Sequence, residues 1–134
     1  MGMRRSTLRK HVFAMLFRAE FHNDEDFAQQ QELYCESLEN ATEEDIEYIT
    51  ERTNAVKARL PEIDRKLSEI SQGWSLDRIG KTELTILRLA IFEILYDENV
   101  PDAVAVNEAV ELAKTFGSED NSYAFVNGVL AKVI

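Results

Sequence analysis

The sequence predicts an all-α protein of about seven helices. Three observations carry this. Apolar residues recur at three- and four-residue spacing along nearly the whole chain of 134 residues. No period-two alternation bounded by hairpin turns is present. Helix start and stop signals, such as Thr42 before three acids and Pro101-Asp102 after an apolar run, fall between the periodic stretches.

The first helix is expected over about residues 4–21. Leu8, Val12, Met15, Leu16 and Ala19 form its apolar stripe, with Arg9, Phe13 and Phe17 along one flank. Basic and aromatic groups on a common face can bind phosphate and stack on bases. The commoner fate of such phenylalanines is the core. Asn23-Asp24-Glu25-Asp26 reads as a break, and a second helix fits residues 27–38. It is no calcium loop, because the alternating acids, central Gly and closing Glu are missing. Thr42 is a good N-cap for a third helix, whose stripe is Ile46, Ile49, Thr53, Val56 and Leu60. Pro61 suits the first position of a fourth, which carries Ile63, Leu67 and Ile70 and ends at Gln72-Gly73. Trp74, Leu76 and Ile79 form an apolar connector.

The stretch from Glu83 to Tyr96 is apolar on almost all sides, as expected of a central buried helix. Its charges Glu83, Arg88 and Glu93 need a partner or an exit to the surface. A sixth helix is expected over 103–116, with Gly117 as a left-handed stop and Ser118 as cap of the last helix. Gly128 inside that helix suggests close approach by a neighbour.

The length suits one domain, residues 1–134. A lone cysteine, Cys35, excludes an internal disulfide framework and fits a reducing, cytoplasmic compartment. No apolar run follows the basic start, so no signal peptide is expected, and no stretch suits a membrane span. Net charge is −10, which alone argues against nucleic acid. The distribution does not: residues 1–19 hold Arg4, Arg5, Arg9, Lys10 and Arg18 and no acid, whereas residues 20–51 hold twelve acids and no Lys or Arg. The plain reading of the basic segment is a solubilising tail; the sharper one is an RNA-binding arm.

Catalytic signatures are missing. His11 and His22 lack ligand-like partners, no Gly-rich phosphate loop or nucleophile elbow occurs, and Cys35 has no cationic neighbour to activate it. No enzyme activity, metal or cofactor is expected.

Residues 104–120, Val-Ala-Val-Asn-Glu-Ala-Val-Glu-Leu-Ala-Lys-Thr-Phe-Gly-Ser-Glu-Asp, then Phe125-Val-Asn-Gly-Val-Leu130, resemble the NusB transcription antitermination family. So do Ile86-Leu-Arg-Leu-Ala-Ile-Phe-Glu93, Trp74-Ser-Leu-Asp-Arg-Ile79 and the Arg5…Arg9…Leu16-Phe17 spacing. The resemblance implies an all-helical fold of two packed helical subdomains, and a non-enzymatic protein that holds boxA-type single-stranded RNA together with a small-subunit ribosomal protein, NusE. The pair would act on the transcription elongation complex with RNA polymerase, notably in ribosomal RNA operons. It implies RNA-binding roles for Arg4, Arg5, Arg9, Lys10, Phe17, Arg88 and Phe125, and partner-binding roles for Glu83 and Asp120. It leaves a homodimer through the basic surface open. The alternative is a NusB-like protein-interaction module, or an accessory to a ribosomal RNA methyltransferase. Three departures from the family pattern stand out: Ser6 in place of an arginine, Leu84 in place of a basic residue, and an added residue at Tyr123-Ala124.

Overall fold

The computed structural model describes residues 2–71 and 75–134, the side chain of Asp24 excepted. The end of the fourth helix at Gln72-Gly73 and the placement of Trp74 therefore lie outside the described residues. Among those described there are seven α-helices and no strand: α1 Arg5–Ala19, α2 Asp24–Glu36, α3 Glu43–Ala58, α4 Leu60–Ile70, α5 Lys81–Tyr96, α6 Asp102–Phe116 and α7 Ser122–Ala131. A short 3-10 turn, Leu76–Arg78, precedes α5. No helix among them is long and apolar enough to cross a membrane. The chain divides into two compact units, Met1–Lys57 and Ala58–Ile134.

In the first unit α1 packs on α2. The α1 stripe is buried as its spacing requires, with Leu8, Val12, Met15 and Leu16 all inside. His11 Nδ1 meets the Tyr34 hydroxyl at 2.6 Å, and the Arg18 guanidinium lies 4.8 Å from the centre of the Tyr34 ring, so one tyrosine fastens α2 to two turns of α1. Burial holds the His11 ring below its ordinary pKa; Asp45 opposes that shift and Lys10 adds to it. The helix α2 starts three residues earlier than its apolar pattern suggests. Asn23 Oδ1 accepts the Asp26 amide at 2.8 Å, so the acidic run is the first turn of α2 rather than a break. Thr42 and Asp45 form a reciprocal cap on α3: the Asp45 amide donates to Thr42 Oγ1 at 3.1 Å, and the Thr42 amide donates to Asp45 Oδ2 at 3.0 Å.

In the second unit α5 is the helix on which α4, α6 and α7 pack. Ten of its residues are buried, Glu83–Leu87 and Leu89–Glu93, matching the expectation of an apolar core helix. Two glycine expectations need correction. Gly117 has φ −55° and ψ 144°, which is extended and not left-handed. It is small for a different reason: a Cβ there would meet the Ala113 carbonyl and lie 2.6 Å from Ser122 Cβ. Gly128 has no neighbour among the described residues within 4 Å of where a Cβ would sit, so the expected close approach is not what keeps it small.

Candidate nucleic-acid interface

The predicted site residues fall into two groups, one in each unit. In the first unit Arg4 and Arg5 are exposed at the start of α1, and Lys10 is exposed on its second turn. Arg4 is the N-cap, with no side-chain cap, and no acid occupies the first turn. The free amides at a helix start carry partial positive charge. Cations placed there work against the helix dipole, so this turn is more electropositive than helix formation alone favours.

Arg9 differs from its neighbours. It is 6% exposed and engaged within the protein, so it is not displayed as a phosphate ligand in the way Arg4, Arg5 and Lys10 are. One helical turn separates it from Arg5, but it belongs to the same flank as the buried Phe13. Phe17 is half-buried and belongs to an aromatic column. Phe13 and Phe17 stack with centroids 6.1 Å apart, and Phe17 meets Phe21 edge-on at 5.1 Å. The column runs from Phe13 in the core to Phe21, which is 57% exposed. Phe21 was not among the residues expected from the sequence. Its i+4 spacing from Phe17 was the available signal, and the Asn-Asp-Glu-Asp run beside it made it look like a helix end only.

In the second unit two of the expected site residues, Glu83 and Arg88, make hydrogen bonds within the unit. Glu83 is 5% exposed, and its carboxylate faces inward. Oε2 accepts the Ser118 amide at 2.8 Å and the Ser122 hydroxyl at 3.0 Å, while Oε1 accepts the Ser118 hydroxyl at 2.8 Å. Burial by itself would raise its pKa, but the Ser118 amide and hydroxyl and the Ser122 hydroxyl outweigh it and hold the carboxyl below its ordinary value. Glu83 thus pins the α6–α7 loop. Ser118 serves that carboxylate and does not cap α7, which begins after Asn121. Arg88 is also engaged inside the unit. Its Nε and Nη2 donate to Asp64 Oδ1 and Oδ2 at 2.9 and 3.0 Å, a two-pronged bridge from α5 to α4. The guanidinium thus ties α5 to α4 while remaining partly exposed.

Asp120 is exposed on the pinned loop, and Phe125 is half-buried on α7. Around the same loop Ala113, Lys114, Gly117, Ser118, Asp120 and Tyr123 border an open cavity of about 470 Å³. Lys114 Nζ lies 5.7 Å from the Tyr123 ring centre. Tyr123 therefore turns the departure from the family spacing into part of the cavity wall. Leu84, the second departure, is buried in α5, and Ser6, the third, is exposed on α1.

These features define a class: an all-helical protein with an arginine-bearing first helix, an aromatic column along it, and an acidic loop pinned by a buried glutamate. A family model described as the NusB family matches residues 6–134. The chain is 50% identical over 132 residues to the transcription antitermination protein NusB of Lachnoclostridium phytofermentans, covering 98% of this chain and 99% of that one. It is 48% identical over 130 residues to the protein of the same name from Agathobacter rectalis, covering 97% and 98%. Among solved structures, T. maritima NusB superposes with a TM-score of 0.86 at 35% identity, covering 99% of this chain and 92% of that one. The antitermination factors NusB and NusE in complex with double-stranded RNA share the fold, with a TM-score of 0.80 at 24% identity over 96% and 94% of the chains. The chain belongs to the NusB family.

Proposed function

We propose that the chain is a transcription antitermination factor that binds boxA-type single-stranded RNA together with the ribosomal protein NusE, acting on the elongation complex in ribosomal RNA transcription. The observation that carries the reading is the exposed Arg4 and Arg5 at an uncapped, acid-free helix start, with Lys10 exposed on the next turn, within a chain whose relatives are named for antitermination. An anion bound there neutralises the cations and also meets the positive end of the α1 dipole, so phosphate relieves an unfavourable arrangement. Phosphate contacts would hold the strand, and bases could stack against the Phe17–Phe21 end of the aromatic column.

The role of each residue follows its exposure. Arg4, Arg5 and Lys10 bind phosphate directly. Arg9 supports the arm from within. Asp120 on the pinned loop, with Phe125 behind it, offers the protein partner or RNA a surface that Glu83 keeps in shape. Arg88 holds α4 to α5. The −10 net charge makes the isolated chain a weak RNA binder, and a basic partner offsets it.

Fluorescence anisotropy with a labelled boxA-type RNA tests this, with and without NusE. Substituting Arg4, Arg5 and Lys10 with Gln should abolish binding, while the helical circular dichroism spectrum stays unchanged. Unaltered binding by that triple variant would contradict the proposal. Light scattering of the free protein reports whether it forms the homodimer that would cover the same cluster.

A further inference from the structure

Between α2 and α3 lies an open groove of about 410 Å³, bordered by Ala28, Cys35, Ile46 and Thr50. Methyl, thiol and aliphatic groups make this lining largely apolar. Gln31 Nε2 donates to Asn54 Oδ1 at 3.4 Å, and Cys35 Sγ lies 3.8 Å from Thr50 Oγ1, so the two helices are joined along the groove. Tyr34, with which α2 meets α1, takes no part in it.

The rim is acidic on both sides. Glu32 and Glu36 border the groove on α2, spaced i,i+4. Glu43 and Glu47 have the same spacing on α3, along the flank they share with Thr50 and Asn54. All four are exposed, and among the described residues none of them forms an ion pair. Like charges at i,i+4 destabilise a helix, and residues 20–51 hold no Lys or Arg to offset them. Helix stability therefore does not explain the pattern. An apolar groove between two lines of unpaired carboxylates matches a ligand that carries apolar and cationic groups side by side. A nucleic-acid strand is repelled by this rim through its phosphates. A purely apolar ligand leaves the carboxylates unused. A helix with leucine-sized residues at i, i+3, i+4 and i+7, flanked by Lys or Arg, meets both demands: its stripe fills the groove and its long cationic side chains reach over the rim.

We propose that the α2–α3 groove is a docking site for a basic amphipathic helix of a protein partner. Ala28, Cys35, Ile46 and Thr50 receive its apolar side chains, and the four glutamates receive its cations. The site is separate from the arginine-bearing start of α1 and stands independently of the RNA-binding reading.

Amide NMR of the full chain, titrated with a short synthetic Lys-Leu amphipathic helix, tests this. The control peptide has every Leu replaced by Ala, which keeps the charge and the helix. The shifts should concentrate in residues 28–36 and 43–54, and the Leu peptide should bind at least about tenfold tighter than the control, the effect of burying Leu-sized side chains. Ala28→Arg, at an exposed position on the groove edge, obstructs the groove and adds a cation, and should weaken the Leu peptide about tenfold or more. The Glu32→Gln, Glu36→Gln pair should weaken it too and flatten its salt dependence; this pair carries the test if Ala28→Arg loses helical signal. Absence of shifts with the Leu peptide at low salt overturns the proposal. So does equal affinity for the two peptides, or parental affinity in the variants, since either means general attraction to an acidic chain. Groove shifts that follow protein concentration alone, without peptide, assign the groove to a second copy of the chain and overturn it as well.

Discussion

The carboxylate of Glu83 is buried and accepts three hydrogen bonds from a loop 35 to 39 residues away in sequence. Glu83→Gln keeps the size but removes the charge, and a buried hydrogen bond to a charged group is worth roughly 1.5–3 kcal/mol. The variant should lose about 2 kcal/mol at pH 7 in a denaturant melt. Because the native pKa is depressed, this stabilisation is complete above the ordinary value of 4.5 and fades as the pH falls through the lower native value. The gap between parent and variant should therefore close in acid; a gap that stays constant down to pH 2 would mean the carboxylate is not ionised in the fold. The two glycines give opposite expectations. Gly117→Ala forces a methyl against Ala113 and Ser122 beside the Glu83 site and should cost about 1–3 kcal/mol. Gly128→Ala places a methyl in open space on a helix and should gain up to about 1 kcal/mol. Thermal melts of the two variants should move in opposite directions. Glu83 and Arg88 were both legible as charges that needed partners. Their partners were not legible, because Ser118 and Asp64 are 35 and 24 residues away and local periodicity holds no record of tertiary pairing.

Among elements, α5 organises the second unit and was the most readable part of the sequence. A helix apolar on nearly every side has few places to go other than the core, and α4, α6 and α7 pack on it. Its bridge to α4 is the half-buried, two-pronged Arg88–Asp64 pair. Arg88→Ala should destabilise the protein by roughly 1–3 kcal/mol, more than an exposed surface pair would. A double-mutant cycle with Asp64→Ala should show positive coupling between the two sites; zero coupling would mean the bridge contributes nothing. The start of α2 was less readable. An acidic run after Asn23 looks like a break by hydropathy, yet acids are favoured in a first turn and Asn23 is a cap, so chemistry rather than periodicity marked the boundary. The α1 flank shows the limit of helical wheels. Arg5 and Arg9 are one turn apart, yet Arg5 is exposed over Tyr48 and Arg9 is buried, a difference decided by neighbours outside the helix.

For the whole molecule, an acidic chain sets five of its cations apart at the N-terminus. The net charge of −10 conceals five cations and no acid within the first 19 residues. This separation was visible in the sequence, as was the family pattern; the hydrogen bonds from the Met3 amide to Asp45 and the contact of Arg5 with the Tyr48 ring were not, because they join the N-terminus to α3. With Arg4, Arg5 and Lys10 exposed, three single-strand phosphate contacts at about 0.7 each set a log-log salt slope near −2. The most direct measurement is anisotropy of a boxA-type RNA titrated with the chain at several salt concentrations, with NusE present and absent. The account requires binding that tightens markedly with NusE, weakens with salt at a slope of about −2, and disappears in the Arg4, Arg5 and Lys10 triple Gln variant. Folded protein that leaves the RNA free at low salt with NusE present, or a triple variant that binds as the parent does, would contradict it.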